Sequence, residues 1–134
     1  MKALTKGFTL VELMIAIVIM AILVAISIPM FIEQLRKSRR YDATSTLLSM
    51  EQEQELYRTN NTTYGTLAQV WNSVTATPDN RYTLTITTPT STGYVLTATA
   101  VGDQANDVEN GVACTPMVIT VTNLSTTRTP AACW

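Results

Sequence analysis

Residues 8–32 read FTLVELMIAIVIMAILVAISIPMFI, twenty-five residues with one charge, Glu12, and none from Leu13 onward. A helix rises 1.5 Å per residue, so roughly 20 apolar residues cross a hydrocarbon core of about 30 Å, and this stretch is long enough to span a membrane. A removable secretory signal fits poorly. Its apolar region runs to roughly 7–15 residues, and the nearest small-residue pattern, Ala25-Ile26-Ser27, falls inside the run instead of after it. Flanking charge does not orient the span, because Lys2 and Lys6 precede it while Arg36, Lys37, Arg39 and Arg40 follow. Glu12 needs its own account: an acid in a membrane span costs about 2.5–3.5 kcal/mol at the bilayer centre, and no basic residue is within reach on its helix face.

The residues around it supply one. KGFTLVEL at 6–13, a short basic leader ending in Gly7 followed by Phe8 and then a glutamate at the fifth position counted from Phe8, resembles the processing motif of type IV prepilins, specifically the type IVa group. The resemblance implies cleavage between Gly7 and Phe8 by prepilin peptidase at the cytoplasmic face of the inner membrane, and methylation of the new Phe8 amine. It also implies that Glu12 meets that amine in a neighbouring subunit. Elementary electrostatics agrees, since a carboxylate in an apolar medium is tolerable when an opposite charge pairs with it. Lys2 and Lys6 are then cytoplasmic, which fixes the orientation. Pro29 matches the family's helix-interrupting proline and predicts a kink. One departure is Ala21, a strong helix former where most relatives carry glycine, which weakens the expectation of local unwinding between Ala21 and Pro29.

Beyond the span the helical period continues. Ile28, Ile32, Leu35, Ala43, Leu47, Met50 and Tyr57 recur at spacings of three, four and their sums, predicting one helix from about Thr9 to Tyr57 with a polar face opposite. Some fifty residues make about 75 Å, more than a single small domain covers. Charge segregates along it: basic at 36–40, acidic at Glu51, Glu53 and Glu55. That pattern reads first as a solvated face with weak pairs along the helix, and second as staggered subunits aligning opposite charges in a filament.

After Asn60 the chain turns to Thr, Asn and Gly, and alternation replaces the helical period. RYTLTIT at 81–87, GYVLTATAV at 93–101 and MVITVT at 117–122 predict three strands, the first two joined as an antiparallel hairpin through residues 88–92. The Tyr, Leu and Ile faces are expected to pack on the helix. The segment 61–78 has room for a short helix. The fold class expected is α+β, a long N-terminal helix against a small antiparallel sheet. The organisation expected is leader 1–7, membrane and assembly half 8–32, amphipathic half 33–60 and head 61–134. Cys114 and Cys133, an even count in a head that would leave the cytoplasm, predict a disulfide; a C-terminal disulfide loop ending in Cys133-Trp134 is similar to the PilE-type pilins of Gram-negative bacteria.

The chain contains no His, and no phosphate loop or nucleotide fingerprint, so nothing supports an enzyme or a cofactor. Asp103, Asp107 and Glu109 fit no twelve-residue calcium loop and read as a polar turn, with no metal expected. Asn61-Thr-Thr and Asn123-Leu-Ser match a glycosylation sequon that arises often by chance. The function expected is a structural subunit of a type IV pilus. It would sit in the inner membrane before assembly and in an extracellular filament afterwards, with other pilin subunits, prepilin peptidase and the assembly platform as partners. The alternatives are a pseudopilin of type II secretion and a DNA-receptor competence pilin. Past residue 60 the head holds two basic residues against four acidic ones, a poor balance for phosphate contacts.

Overall fold

The structure, a computed structural model, describes residues 7–134; leader positions 1–6, with Lys2 and Lys6, lie outside the described residues. Helix α1 runs from Leu10 to Asn60 and passes through Pro29 without a break in the helical assignment. Thr9 closes its first turn, its hydroxyl accepting from the Glu12 N–H at 3.2 Å and its carbonyl from the Leu13 N–H at 3.2 Å. The far end extends three residues past the expected Tyr57. There Asn61 Nδ2 donates to the Tyr57 carbonyl at 2.8 Å, satisfying one of the acceptors a helix end leaves open.

The chain divides into two compact units, the first ending at Leu35 and the second comprising Arg36–Trp134. In the first, every large apolar side chain from Phe8 to Phe31 is more than half exposed. This is the inverse of a soluble helix, whose apolar stripe faces a core.

The second unit holds the rest of α1, a short helix α2 (Leu67–Val70) and six strands: β1 (Tyr82–Thr87), β2 (Gly93–Ala100), β3 (Val108–Glu109), β4 (Val112–Ala113), β5 (Met117–Thr122) and β6 (Ser125–Thr129). The main sheet has the order β1-β2-β5-β6, antiparallel throughout, and β3 with β4 forms a separate hairpin. The expected β1–β2 hairpin forms, in register from Tyr82 opposite Ala100 to Thr87 opposite Val95. Alternation delivers Tyr82, Leu84, Tyr94, Leu96, Ala98, Met117, Ile119 and Val121 to one face, where they form a single core with Ala43, Leu47 and Met50 of α1. Gly93 is required where it stands, because a Cβ there would lie 2.1 Å from the Val121 carbonyl oxygen of the adjacent strand.

The helix stripe differs from expectation in its membership. Ala43, Leu47 and Met50 are buried, but Leu35 is exposed, and Arg40 and Gln54 complete the buried line at 40, 43, 47, 50 and 54. Gln54 is tolerated because its amide bonds the Gly65 backbone in both directions, Nε2 to the carbonyl at 2.6 Å and Oε1 from the N–H at 2.8 Å. Strands β3, β4 and β6 carry no period-two apolar signal: the first two are two residues each, and β6 is exposed along its whole length.

Candidate functional site

Two places concentrate the chemistry: the start of α1 and the belt of charge around Arg40. Gly7, Phe8 and Thr9 precede the helix and are exposed, Phe8 at 83%. A Cβ at Gly7 would meet nothing within 4 Å, so no packing within the described chain calls for a glycine there. Glu12 stands in the first turn of α1, exposed. Thr9 and Glu12 have the spacing of a capping box, a local signal that the search for an ion-pair partner passes over, and a carboxylate in a first turn also meets the positive end of the helix dipole.

In the head, Arg36, Lys37 and Arg40 of the basic cluster of α1 find carboxylates within their own chain. They meet the loop between β2 and β5. Arg36 holds Asp103 with two bonds, Nη2 to Oδ1 at 2.7 Å and Nε to Oδ2 at 3.2 Å. Lys37 Nζ lies 3.6 Å from Glu109 Oε1. Arg40, 3% exposed, reaches three groups: Asp107 Oδ2 at 3.4 Å, Glu109 Oε2 through a direct bond, and Cys114 Sγ at 2.7 Å. A buried guanidinium is stable only when its fork of donors finds partners, and this one does. The hydrogen bond from Arg36 holds the Asp103 carboxyl below the usual carboxylate range, and that from Arg40 does the same for Glu109. Asp107 moves the other way, raised by burial against the pull of Arg40.

The acidic half of the helix is used similarly. Glu51 pairs with Arg128 at 3.0 Å, and Glu55 accepts from the hydroxyls of Tyr64 at 3.2 Å and Tyr94 at 3.5 Å. Burial, reinforced by Glu55, raises the pKa of both tyrosines. The disulfide between Cys114 and Cys133 is formed, with Cα atoms 5.6 Å apart, tying the segment after β4 to the C-terminal turn. Arg128 covers the Trp134 ring at 5.7 Å. The sequence spacing missed Arg40 as a core residue, although its place three residues before Ala43 and seven before Leu47 puts it on the buried stripe.

An exposed apolar helix bearing one carboxylate in its first turn, whose later turns underlie an antiparallel sheet closed by a C-terminal disulfide, defines the class of type IV pilin-like proteins. The chain belongs within it to the family described as type IV minor pilin ComP, DNA uptake sequence receptor, which matches residues 29–118, more than half of its length. Residues 3–28 match the prokaryotic N-terminal methylation motif. Among individual proteins, the chain is similar to type II secretion system core protein G of Dickeya chrysanthemi, 31% identical over 64 residues, covering 48% of this chain and 42% of that one. It is 32% identical over 80 residues to the protein of that name from Aeromonas hydrophila, covering 57% and 56%, and 30% identical over 73 residues to that of Klebsiella pneumoniae, covering 54% and 52%. The chain spans about half the length of these relatives.

Proposed function

We propose that this chain is a structural, non-catalytic subunit of a type IV pilus. Prepilin peptidase cuts the precursor between Gly7 and Phe8 and methylates the Phe8 amine. Residues 8–32 hold the subunit in the inner membrane until the assembly platform moves it into the filament, where Glu12 meets the Phe8 amine of a neighbour. The observation that carries this is the unbroken exposure of large apolar side chains from Phe8 to Phe31. Such a surface needs lipid first and other helices afterwards, since water tolerates neither its area nor its continuity. Mass spectrometry of sheared surface filaments should find the chain beginning at methylated Phe8. Gly7→Glu should leave the precursor uncut and the filaments without it; normal processing of that variant overturns the assignment of Gly7.

A second reading, that the filament binds duplex DNA through this head, draws on the description of the matched family. Against it, four of the seven basic residues past Leu35, namely Arg36, Lys37, Arg40 and Arg128, are held by carboxylates of their own chain. Binding of labelled duplex DNA to the detergent-solubilised chain at increasing salt tests this second reading. A receptor that neutralises several phosphates loses affinity steeply with salt, at a logarithmic slope of about −0.9 per phosphate contacted.

A further inference from the structure

One backbone donor at the start of α1 has two claimants. In a helix each N–H bonds the carbonyl four residues back, so the Glu12 N–H falls to the Phe8 carbonyl if the helix runs on toward the leader. It goes instead to the Thr9 hydroxyl at 3.2 Å, while the Leu13 N–H takes the Thr9 carbonyl. Thr9 is therefore the residue just outside the helix, and its hydroxyl accepts from the third residue inside, which is how a threonine caps. Among the described residues no backbone N–H reaches the Gly7 or Phe8 carbonyl.

The peptide left outside is the one joining Gly7 to Phe8. Both residues are exposed, and a Cβ on Gly7 would meet nothing within 4 Å. Two more residues of helix would change that, by putting the Gly7 carbonyl on the Val11 N–H and the scissile bond inside a closed turn. A carbonyl in that state is hydrogen-bonded and flanked by its turn, so a peptidase reaches it only after the turn opens. The surroundings favour extension. An apolar medium offers the first N–H groups of a helix no water, and the chain's own carbonyls are the nearest acceptors. The hydroxyl of Thr9 supplies another acceptor at the place that stops the helix short of the bond.

We propose that Thr9 is a positioning residue for cleavage of the precursor: by taking the Glu12 N–H it ends α1 before the Gly7–Phe8 bond and keeps that bond in the non-helical form that the peptidase hydrolyses. This role rests on the cleavage proposed above and refines it. Water adds across the peptide, its hydroxyl to the Gly7 carbonyl carbon and its proton to the Phe8 nitrogen, which leaves as the amine. The Thr9 side chain takes no part in that exchange. It also acts apart from the Glu12 side chain, since the bond uses the Glu12 backbone and survives any substitution there short of proline.

The test cuts full-length precursors carrying Thr9→Val, Thr9→Ser or Thr9→Asn, inserted in lipid vesicles, with prepilin peptidase and follows release of the leader with time. Thr9→Val keeps the branched shape and loses the acceptor. Its kcat/KM should fall about two- to thirtyfold, the worth of a helix cap expressed as a ratio, and the fall should lie in KM, because a bond that is open only part of the time lowers apparent affinity. Ser and Asn differ in size from threonine yet offer an oxygen, so both should cut at the native rate. Native kinetics for Thr9→Val overturn the role and leave cleavage after Gly7 standing. So does a ranking by shape, with Val nearest to the native chain and Asn poorest, which marks a side-chain contact with the peptidase. A fall in kcat with KM unchanged also overturns it. A native precursor that the peptidase leaves whole overturns the cleavage reading, and the role of Thr9 with it.

Discussion

Arg40 is the residue on which the head's charge converges. It lies on the buried line of α1, its guanidinium between Asp107 and Glu109 and against the Cys114 sulfur. Removing one partner of a buried ion pair leaves the other charged and desolvated, so Arg40→Ala should cost about 3–5 kcal/mol in chemical denaturation of the detergent-solubilised chain. Exposed pairs are worth little, and Arg36→Ala, whose partner Asp103 is exposed, should cost less than about 1 kcal/mol. Equal losses for the two would show that burial does not distinguish them. The same groups set the pH response. Asp103 and Glu109 have folded-state pKa values below their ordinary ones, so they bind fewer protons folded than unfolded, and their stabilisation, present above about pH 4, is lost as pH falls through the folded values. Asp107, raised by burial, has the opposite sign: its ionisation costs stability as pH rises through its ordinary value and beyond, and protonation returns it. With two depressed carboxyls against one raised, the denaturation midpoint should fall below about pH 4 and vary little between 5 and 7. A midpoint that rises on acidification would mean that Asp107 dominates.

At the scale of elements, the β3–β4 hairpin and the segments around it depend on few apolar contacts and on the disulfide. Val108 and Val112 are exposed, while the Cys114 N–H donates to the Asp107 carbonyl at 2.9 Å and the sulfurs anchor the segment to the C-terminal turn. Cys133→Ser should therefore lower stability by roughly 3 kcal/mol on the chain-entropy account and expose residues 102–134 to limited proteolysis before α1 is cut. Loss of α1 protection first would place the disulfide's effect elsewhere. How far these elements were legible follows from what each buries. Helix α1 and strands β1, β2 and β5 announce themselves because one face of each is apolar at the right period. Strand β6, reading STTRT, and the two-residue strands β3 and β4 bury almost nothing, so only their turns, Asn110-Gly111 and Asn123-Leu124, hint at them. The pairing of the basic cluster was illegible for a different reason: Arg36 and Asp103 are 67 positions apart, and only the fold brings residues that distant together. Gly7, Phe8 and Glu12 were legible as a motif and not as geometry, because the roles proposed for them lie in contacts with other molecules.

The molecule as a whole has one unit whose apolar side chains meet a core and another whose large apolar side chains from Phe8 to Phe31 are more than half exposed. Glu12 interrupts the second surface, and two physical roles compete for it. As the fourth residue of Thr9-Leu-Val-Glu12 it has the spacing to complete a capping box and the sign to meet the positive end of the helix dipole, a local service worth about 0.3–1 kcal/mol. On the proposed function it is an assembly device, because the Phe8 amine that cleavage after Gly7 would free in the same chain is one turn away along the helix and cannot turn back onto Glu12, whereas that of an adjacent subunit would be able to. Substitution separates the two. Glu12→Gln keeps a side chain able to complete the capping box and removes the charge, and Glu12→Ala removes both. Either change makes the span more apolar, so membrane insertion and cleavage after Gly7 should proceed for both. If pairing between subunits is the role, Gln and Ala should be equally depleted from sheared filaments when quantified against the membrane pool. The loss should be large, since an unpaired amine is then left in an apolar filament interior at a cost on the order of 3–5 kcal/mol. If capping is the role, Gln should assemble as the native chain does and Ala should fall short by no more than about tenfold. Native incorporation of Glu12→Gln along the filament would therefore remove the ion pair from the mechanism and leave the carboxylate as a helix cap.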